Sequence, residues 1–459
     1  MPALSPPEGD MPASAASHAG VQSLLTKRHR GIVFAFLSSA MSKGLATAAQ
    51  FIALPLALHA LGTGRYAAFL ALQAFMAWAG LFGLGIVPTL PRFLSQAHAF
   101  ENVEQERDLV GTAIIFMLLA GALLATVLLL LGTAISPIAI AGSQYASYGT
   151  EIDVSYRILS VLIAFQVTSN VMFAIRSGYQ ELYISSSWTS AANVFVILGM
   201  FWLARGAPTI WQFALALYGP VILSLFLDAG LLGVQRPYLF AARPKFRRTA
   251  KSLLPHATNA LATQLSFFLV SYVPLIIVAH MFDARATAAY GTIVQIVVIG
   301  NSGMNLIVQS VVPAIANARA HGDFPWIRRA YLGALLAVLG VSVGFAAILT
   351  GLGPWLFKVW LRRDLGIDHT LCALFGAYFA LSMSSMLHFS VLGALGELRR
   401  VGWIYLLEGS LAIGIGTALS FKFGIAGMAA GLALASLMAS GWYTPSRVWR
   451  ALGGIRTRT

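Results

Sequence analysis

A chain of 459 residues that is 58% hydrophobic and only 10% charged, with a mean hydropathy of +0.77, is too apolar for a water-soluble domain. The single cysteine, Cys372, excludes an internal disulfide, and the formal charge of +14 is accounted for below by membrane topology, without nucleic-acid binding. The fold class expected is all-α: a polytopic integral membrane protein with about twelve transmembrane helices.

Taken in chain order, residues 1–30 form a cytoplasmic tail that opens rich in Pro, Ala and Ser with little to bury, and therefore disordered. Lys27, Arg28 and Arg30 then flank an apolar run too long for a signal-peptide core. That first span, about 31–61, carries Lys43 near its middle. A cation at that depth costs about 2.5–3.5 kcal/mol on insertion scales unless a cavity or partner receives it. Ser39, Thr47 and Gln50 stand at helical spacing from Lys43, so it belongs to a polar stripe, and a stripe on a spanning helix points to a wet, positively charged lumen. The plainer reading of Lys43 is a buried ion pair or a snorkelling contact.

Further spans are expected at about 66–97, 107–136, 153–178, 183–205 and 209–234. Arg157 and Arg176 cap opposite ends of the fourth, with Gln166, Ser169 and Asn170 between them; they are candidate cavity cations or interfacial snorkelling residues. Asp228 lies inside the sixth span. Residues 236–252 form a basic cytoplasmic linker between an N-terminal six-helix lobe, 31–235, and a C-terminal one, 253–446.

The second half repeats the pattern at about 253–281, 288–318, 328–351, 369–395, 400–420 and 423–446. His256, Asn259, Thr263 and Ser266 share one face of the seventh span, and Ser302, Asn305 and Gln309 one face of the eighth. Either stripe could face a cavity or hydrogen-bond between packed helices. His388 in the tenth span and Glu408 in the eleventh join Asp228 as ion-coupling candidates, each with a structural role as the alternative. Residues 447–459 are a basic cytoplasmic tail.

With the N-terminus inside, 21 of the 30 basic residues fall on the cytoplasmic side and eight outside, with Lys43 alone in the membrane. That bias puts both termini in the cytoplasm. The halves also echo each other: Pro91 to His98 against Pro313 to His321, Gly178 to Leu182 against Gly393 to Leu398, and Pro55 against Pro274. Parallel repeats of this kind bind at the repeat interface and rock between two open states.

Several stretches resemble a known family. The exit Leu61-Gly-Thr-Gly-Arg-Tyr66, the run Gly83-Leu-Gly-Ile-Val-Pro-Thr-Leu-Pro-Arg92, the exit Gly393 to Arg400 and the run Phe423-Gly-Ile-Ala-Gly-Met-Ala-Ala-Gly431 are similar to those of bacterial polysaccharide transporters. The family is the O-antigen flippase (Wzx-like) branch of the multidrug/oligosaccharidyl-lipid/polysaccharide exporter superfamily. The resemblance implies two six-helix lobes around a central cavity in the bacterial inner membrane. It implies translocation of an undecaprenyl-diphosphate-linked glycan, with membrane lipids and other polysaccharide assembly proteins as further partners. A diphosphate headgroup suits a cationic lumen, for which Lys offers a compact point charge.

The sequence carries no Gly-x4-Gly-Lys-Ser/Thr loop, no His-Glu-x-x-His and no Cys pair, so no cofactor, metal or enzymatic role is expected. One rival is a small-molecule cation exporter of the same superfamily, which would want an acidic lumen. The other, a polysaccharide polymerase or ligase, would need longer external segments than 137–152 and 357–368.

Overall fold

The structure is a computed structural model that describes residues 15–79, 86–241, 244–245, 264–395 and 401–453. Among the described residues there is no strand, and nine helices are long and apolar enough to cross a membrane. Two of those nine stretches contain a glycine with left-handed backbone: Gly62 at φ 74° and Gly424 at φ 61°.

Both glycines reverse the chain. In α1 (Ala15–Met76), Lys43 and Gln73 line the same cavity although thirty residues separate them. A straight helix would hold them roughly 45 Å apart. The later hairpin, α13 (Val401–Met438), is tighter still. A Cβ added to Gly431 would sit 2.2 Å from the Gly416 Cα, so the two limbs touch backbone to backbone. The expected eleventh and twelfth spans are therefore one continuous helical element folded at Gly424.

Between the hairpins run α2 (Ile86–Ala99), α3 (Val103–Ala134), the short α4 (Pro137–Ala141), α5 (Gly149–Ser169), α6 (Val171–Gly178), α7 (Leu182–Leu203), α8 (Ile210–Gln235), α9 (Val273–Met281), α10 (Ala284–Ala320), α11 (Phe324–Leu361) and α12 (His369–Ala394). The last helix, α14, spans Ser440–Gly453. Helix starts follow capping chemistry: Asn102, Asp283, Asp323 and Asp368 each accept a backbone N–H of the first turn, and Thr209 with Gln212 forms a capping box.

Three boundaries differ from expectation. The helix of α1 begins at Ala15, inside the stretch read as a disordered tail, because Ala, Leu and Gln from there on are good helix formers. The fourth span is two helices, α5 and α6, jointed at Asn170. The ninth runs on to Leu361, well past the expected residue 351.

Helices α2 to α8 pack among themselves and on α1, while α9 to α14 form a second group. The groups meet where α1 packs on α9, α10 and α11 and where α4 packs on α9. Around the outside, α3 exposes Leu118, Leu119, Leu123 and Leu130 and buries Val110, Ala113, Met117 and Leu124. On α11, Leu336, Val343 and Trp355 are likewise exposed. Apolar surface on that scale is a face for lipid. The chain is a multi-pass membrane protein.

Candidate functional site

Between the two helix groups lies a cavity of about 930 Å3. The first group supplies most of its wall, from both limbs of α1 and from α5, α6, α7 and α8; the second contributes Gln295 and Ile299 of α10. On α1, residues 42, 43, 46, 49, 50, 53, 54 and 57 form the lining face. Lys43 and Gln50 are on it, whereas Thr47 is not.

Polar side chains are spread through an otherwise apolar wall. Ser42 Oγ lies 3.1 Å from Thr189 Oγ1, and Asn193 Nδ2 donates to the Thr189 carbonyl at 2.8 Å. Higher up, Gln73 donates to the Tyr218 hydroxyl, and Gln295 Nε2 reaches Gln73 Oε1 at 3.4 Å, across the two groups. Gln166 and Ser186 complete the polar set. Among the described lining residues Lys43 carries the one formal charge, and there is no Asp or Glu.

Ser42, the neighbour of Lys43 on α1, is level with Thr189, seven residues from the start of α7 at Leu182 and fourteen from its end at Leu203. At 1.5 Å per residue it lies about 10 Å from one end of that helix and about 21 Å from the other. Lys43 is thus nearer the Leu182 end of the bundle than the midpoint expected.

Arg176 has a different setting. Its side chain is fully buried, with Nε and Nη2 donating to Asp228 Oδ1 at 3.0 and 2.7 Å and Nη1 to Glu181 Oε2 and Gln235 Oε1 at 2.8 and 2.9 Å. Ser185 donates to the other Asp228 oxygen. Arg176, expected as a cavity cation or a snorkelling residue, and Asp228, expected as an ion-coupling acid or a structural partner for a cation, are partners that tie α6 to α7 and α8. The network continues outward through Arg236, bonded to Glu181 at 2.6 Å and stacked 3.6 Å over the Tyr179 ring. Glu106 of α3 then accepts from Tyr179 and Tyr238 at 3.0 and 3.1 Å and contacts His98 of α2 at 2.9 Å. Burial, and next the Glu106 charge, push both tyrosine phenols above their ordinary value. Arg157 is exposed and pairs with Asp153 one turn away at 3.0 Å; it is not among the lining residues.

In the second group, His388 is buried, with Nε2 2.9 Å from the Tyr331 hydroxyl. Glu408 is buried beside the hydroxyls of Ser436 and Ser440. Neither lines the cavity. Asn259 and Thr263 fall outside the described residues, as do the side chains of Asn305 and Gln309. The residues missed in sequence, Ser186, Thr189 and Asn193 of α7, stand three and four apart, the same spacing that singled out the stripe on the seventh span.

The sequence profile of the polysaccharide biosynthesis protein family matches residues 33–319. The chain belongs to that family. Among curated proteins it is similar to the uncharacterized membrane protein EpsK of Bacillus subtilis, 24% identical over 279 residues that make up 60% of this chain and 55% of that protein. The chain thus matches little more than half the length of this relative. Among solved structures it resembles an inward-facing multidrug resistance MATE family transporter of the MOP superfamily at a TM-score of 0.71 and 14% identity, over 90% of this chain and 98% of the other. An outward-facing MATE structure aligns at 0.67 and 15% identity, over 92% and 96%. A MOP superfamily transporter from Pyrococcus furiosus, described as having a binding pocket of reversed polarity, aligns at 0.63 and 15% identity, over 92% and 96%. The fold is that of MOP superfamily transporters.

Proposed function

We propose that the protein is a flippase that moves a polyprenyl-diphosphate-linked oligosaccharide across the bacterial inner membrane by alternating access. The observation that carries this reading is the cavity's charge: Lys43 on its wall and no carboxylate among the described lining residues. An anionic diphosphate crossing a membrane needs its headgroup held in a wet, cationic site. The amide and hydroxyl groups of Gln50, Gln73, Gln166, Thr189 and Asn193 suit sugar hydroxyls, and membership of a polysaccharide biosynthesis family supplies the glycan. A small-molecule cation exporter would be served poorly by this wall.

With both termini cytoplasmic, Lys43 and Leu182 lie toward the cytoplasmic mouth. The bonds joining the groups near Gly142 and Ala279 then lie at the periplasmic side. Lys43 would meet the diphosphate as the lipid-linked glycan enters.

The test is complementation of a flippase-deficient strain by wild type, Lys43→Ala and Lys43→Arg at matched membrane levels. Surface glycan should be lost with alanine and partly kept with arginine. Normal glycan with alanine would remove the cavity's assigned role.

A further inference from the structure

We propose that the second helix group, at its end nearest Lys43, carries a binding site for an anionic phospholipid, built by Arg328 and Arg329 of α11 with Trp449 and Arg450 of α14. The level is set by α11. Its exposed large apolar side chains run from Leu336 to Val359, about 35 Å of helix, close to a bilayer's hydrocarbon core. Arg329 lies seven residues, about 10 Å, beyond Leu336, in the headgroup layer. Just past the other end of α11, Arg363 reaches Thr63 beside the Gly62 turn, nineteen residues along α1 from Lys43. The arginine end of α11 therefore faces the same leaflet as Lys43.

The charge pattern names the ligand. Residues 314–332 and 440–453 hold five arginines, at positions 319, 328, 329, 447 and 450, against one carboxylate, Asp323. Asp323 is committed to the start of α11, where it accepts the Trp326 amide at 3.0 Å. Arg319, Arg328, Arg329 and Arg450 are exposed. The matching end of the first group differs: there Arg176, Arg236 and Lys245 pair with Asp228, Glu181 and Glu104. Topological bias alone does not neutralise one group and load the other. The planar guanidinium fork matches phosphate oxygens, and each basic residue at an anionic surface favours a charged headgroup about fivefold at low salt.

Part of the site is assembled in advance. The Arg328 guanidinium lies 5.6 Å over the Trp449 ring, and that ring meets Tyr331 edge-on at 6.1 Å. Tyr331 is itself buried, its hydroxyl 2.9 Å from His388 Nε2 of α12. Holding Arg328 against an anchored ring lowers the ordering cost of gripping a phosphate. Trp326 and Trp449, 38% and 43% exposed, are amphipathic rings suited to the headgroup boundary. A lipid clasped here bridges α11 and α14 and fixes the second group against one leaflet. That this leaflet is cytoplasmic rests on the topology proposed above; the binding does not.

The experiment is fluorescence quenching of the full chain in lipid nanodiscs, with brominated phospholipids as the only probes and no glycolipid present. The Trp449 signal is the difference between wild type and Trp449→Phe. Brominated phosphatidylglycerol in a phosphatidylcholine background should quench it severalfold more than brominated phosphatidylcholine at the same mole fraction. In the triple variant Arg328→Gln, Arg329→Gln, Arg450→Gln that preference should vanish, while quenching by brominated phosphatidylcholine stays at the wild-type level and reports an intact fold. Equal quenching of the wild type by the two lipids would overturn the proposal, as would a preference that survives the triple substitution. If the triple variant does not fold, Arg329→Gln alone should lower the preference about fivefold at low salt; an unchanged preference counts against the site. Lys43→Ala should keep the preference, which separates this site from the flippase reading; its loss there would place the lipid in the cavity instead.

Discussion

Arg176 and Asp228 form an ion pair at 2.7 Å with both side chains wholly shielded from solvent. A pair like this stabilises little over an apolar pair of equal volume, yet losing one member strands a buried charge. Arg176→Ala should therefore cost about 3–5 kcal/mol and collapse the thermal unfolding temperature in detergent. Arg176→Met combined with Asp228→Leu should recover much of the loss. A stable, fully folded Arg176→Ala protein would show that the network does not hold α6, α7 and α8 together.

The same pair marks how far the sequence could be read. Hydropathy marked the chain as an all-helical, multi-pass membrane protein, since the periodic burial of α3 and the lipid-facing leucines of α11 are written in the pattern itself, although nine helices long and apolar enough to cross stand among the described residues against the twelve spans expected. Lys43 and Gln50 could be assigned to one wall because a single helix fixes their relative direction. Which charges would meet could not be read, because Arg176 and Asp228 are 52 residues apart and only packing brings them within reach. Hydropathy also placed both reversals, between spans 31–61 and 66–97 and between spans 400–420 and 423–446. What it did not reveal is that a single positive-φ glycine, Gly62 or Gly424, makes each turn with no loop between the limbs.

Gln144 predicts the energetics of the contact between groups. Its side-chain amide donates to the Ala279 carbonyl and, at 3.0 Å, to that of Phe282, while His280 Nε2 donates to the Ala139 carbonyl at 2.8 Å. Removing the first two bonds with Gln144→Ala loses about 1–3 kcal/mol at about 0.5–1.5 kcal/mol each. That should shift the balance of states about 5- to 150-fold toward separation at this end. Spin labels at positions 63 and 363, where Arg363 Nη1 lies 3.4 Å from Thr63 Oγ1, should report a larger long-distance population by pulsed electron resonance. An unchanged distance distribution would mean these bonds do not hold the closed end.

Gly431→Ala tests the α13 hairpin. The added methyl would lie 2.2 Å from the Gly416 Cα and 2.4 Å from its nitrogen, where no side chain can give way. The limbs must part, at a cost of about 1–3 kcal/mol for overpacking, read as a lower unfolding temperature. Gly414→Ala, which would meet nothing within 4 Å, is the matched control and should be neutral or slightly stabilising in a helix.

Lys43 sets the test of the cavity's geometry independently of glycan transport. Cys372 is fully buried, so the native chain should react slowly with polar thiol reagents and give a low background. Lys43→Cys lies on the lining face of α1 and should label quickly with a water-soluble maleimide, whereas Thr47→Cys, one turn on but off that face, should label at least tenfold more slowly. Added from either side of sealed vesicles, the reagent also reads orientation. Lys43→Cys should react faster from the cytoplasmic side, because the level of its neighbour Ser42 on α7 is about 10 Å from the Leu182 end and about 21 Å from the other. Equal rates at positions 43 and 47 would mean that the face of α1 assigned to the cavity is wrong, and with it the cationic wall on which the substrate reading depends.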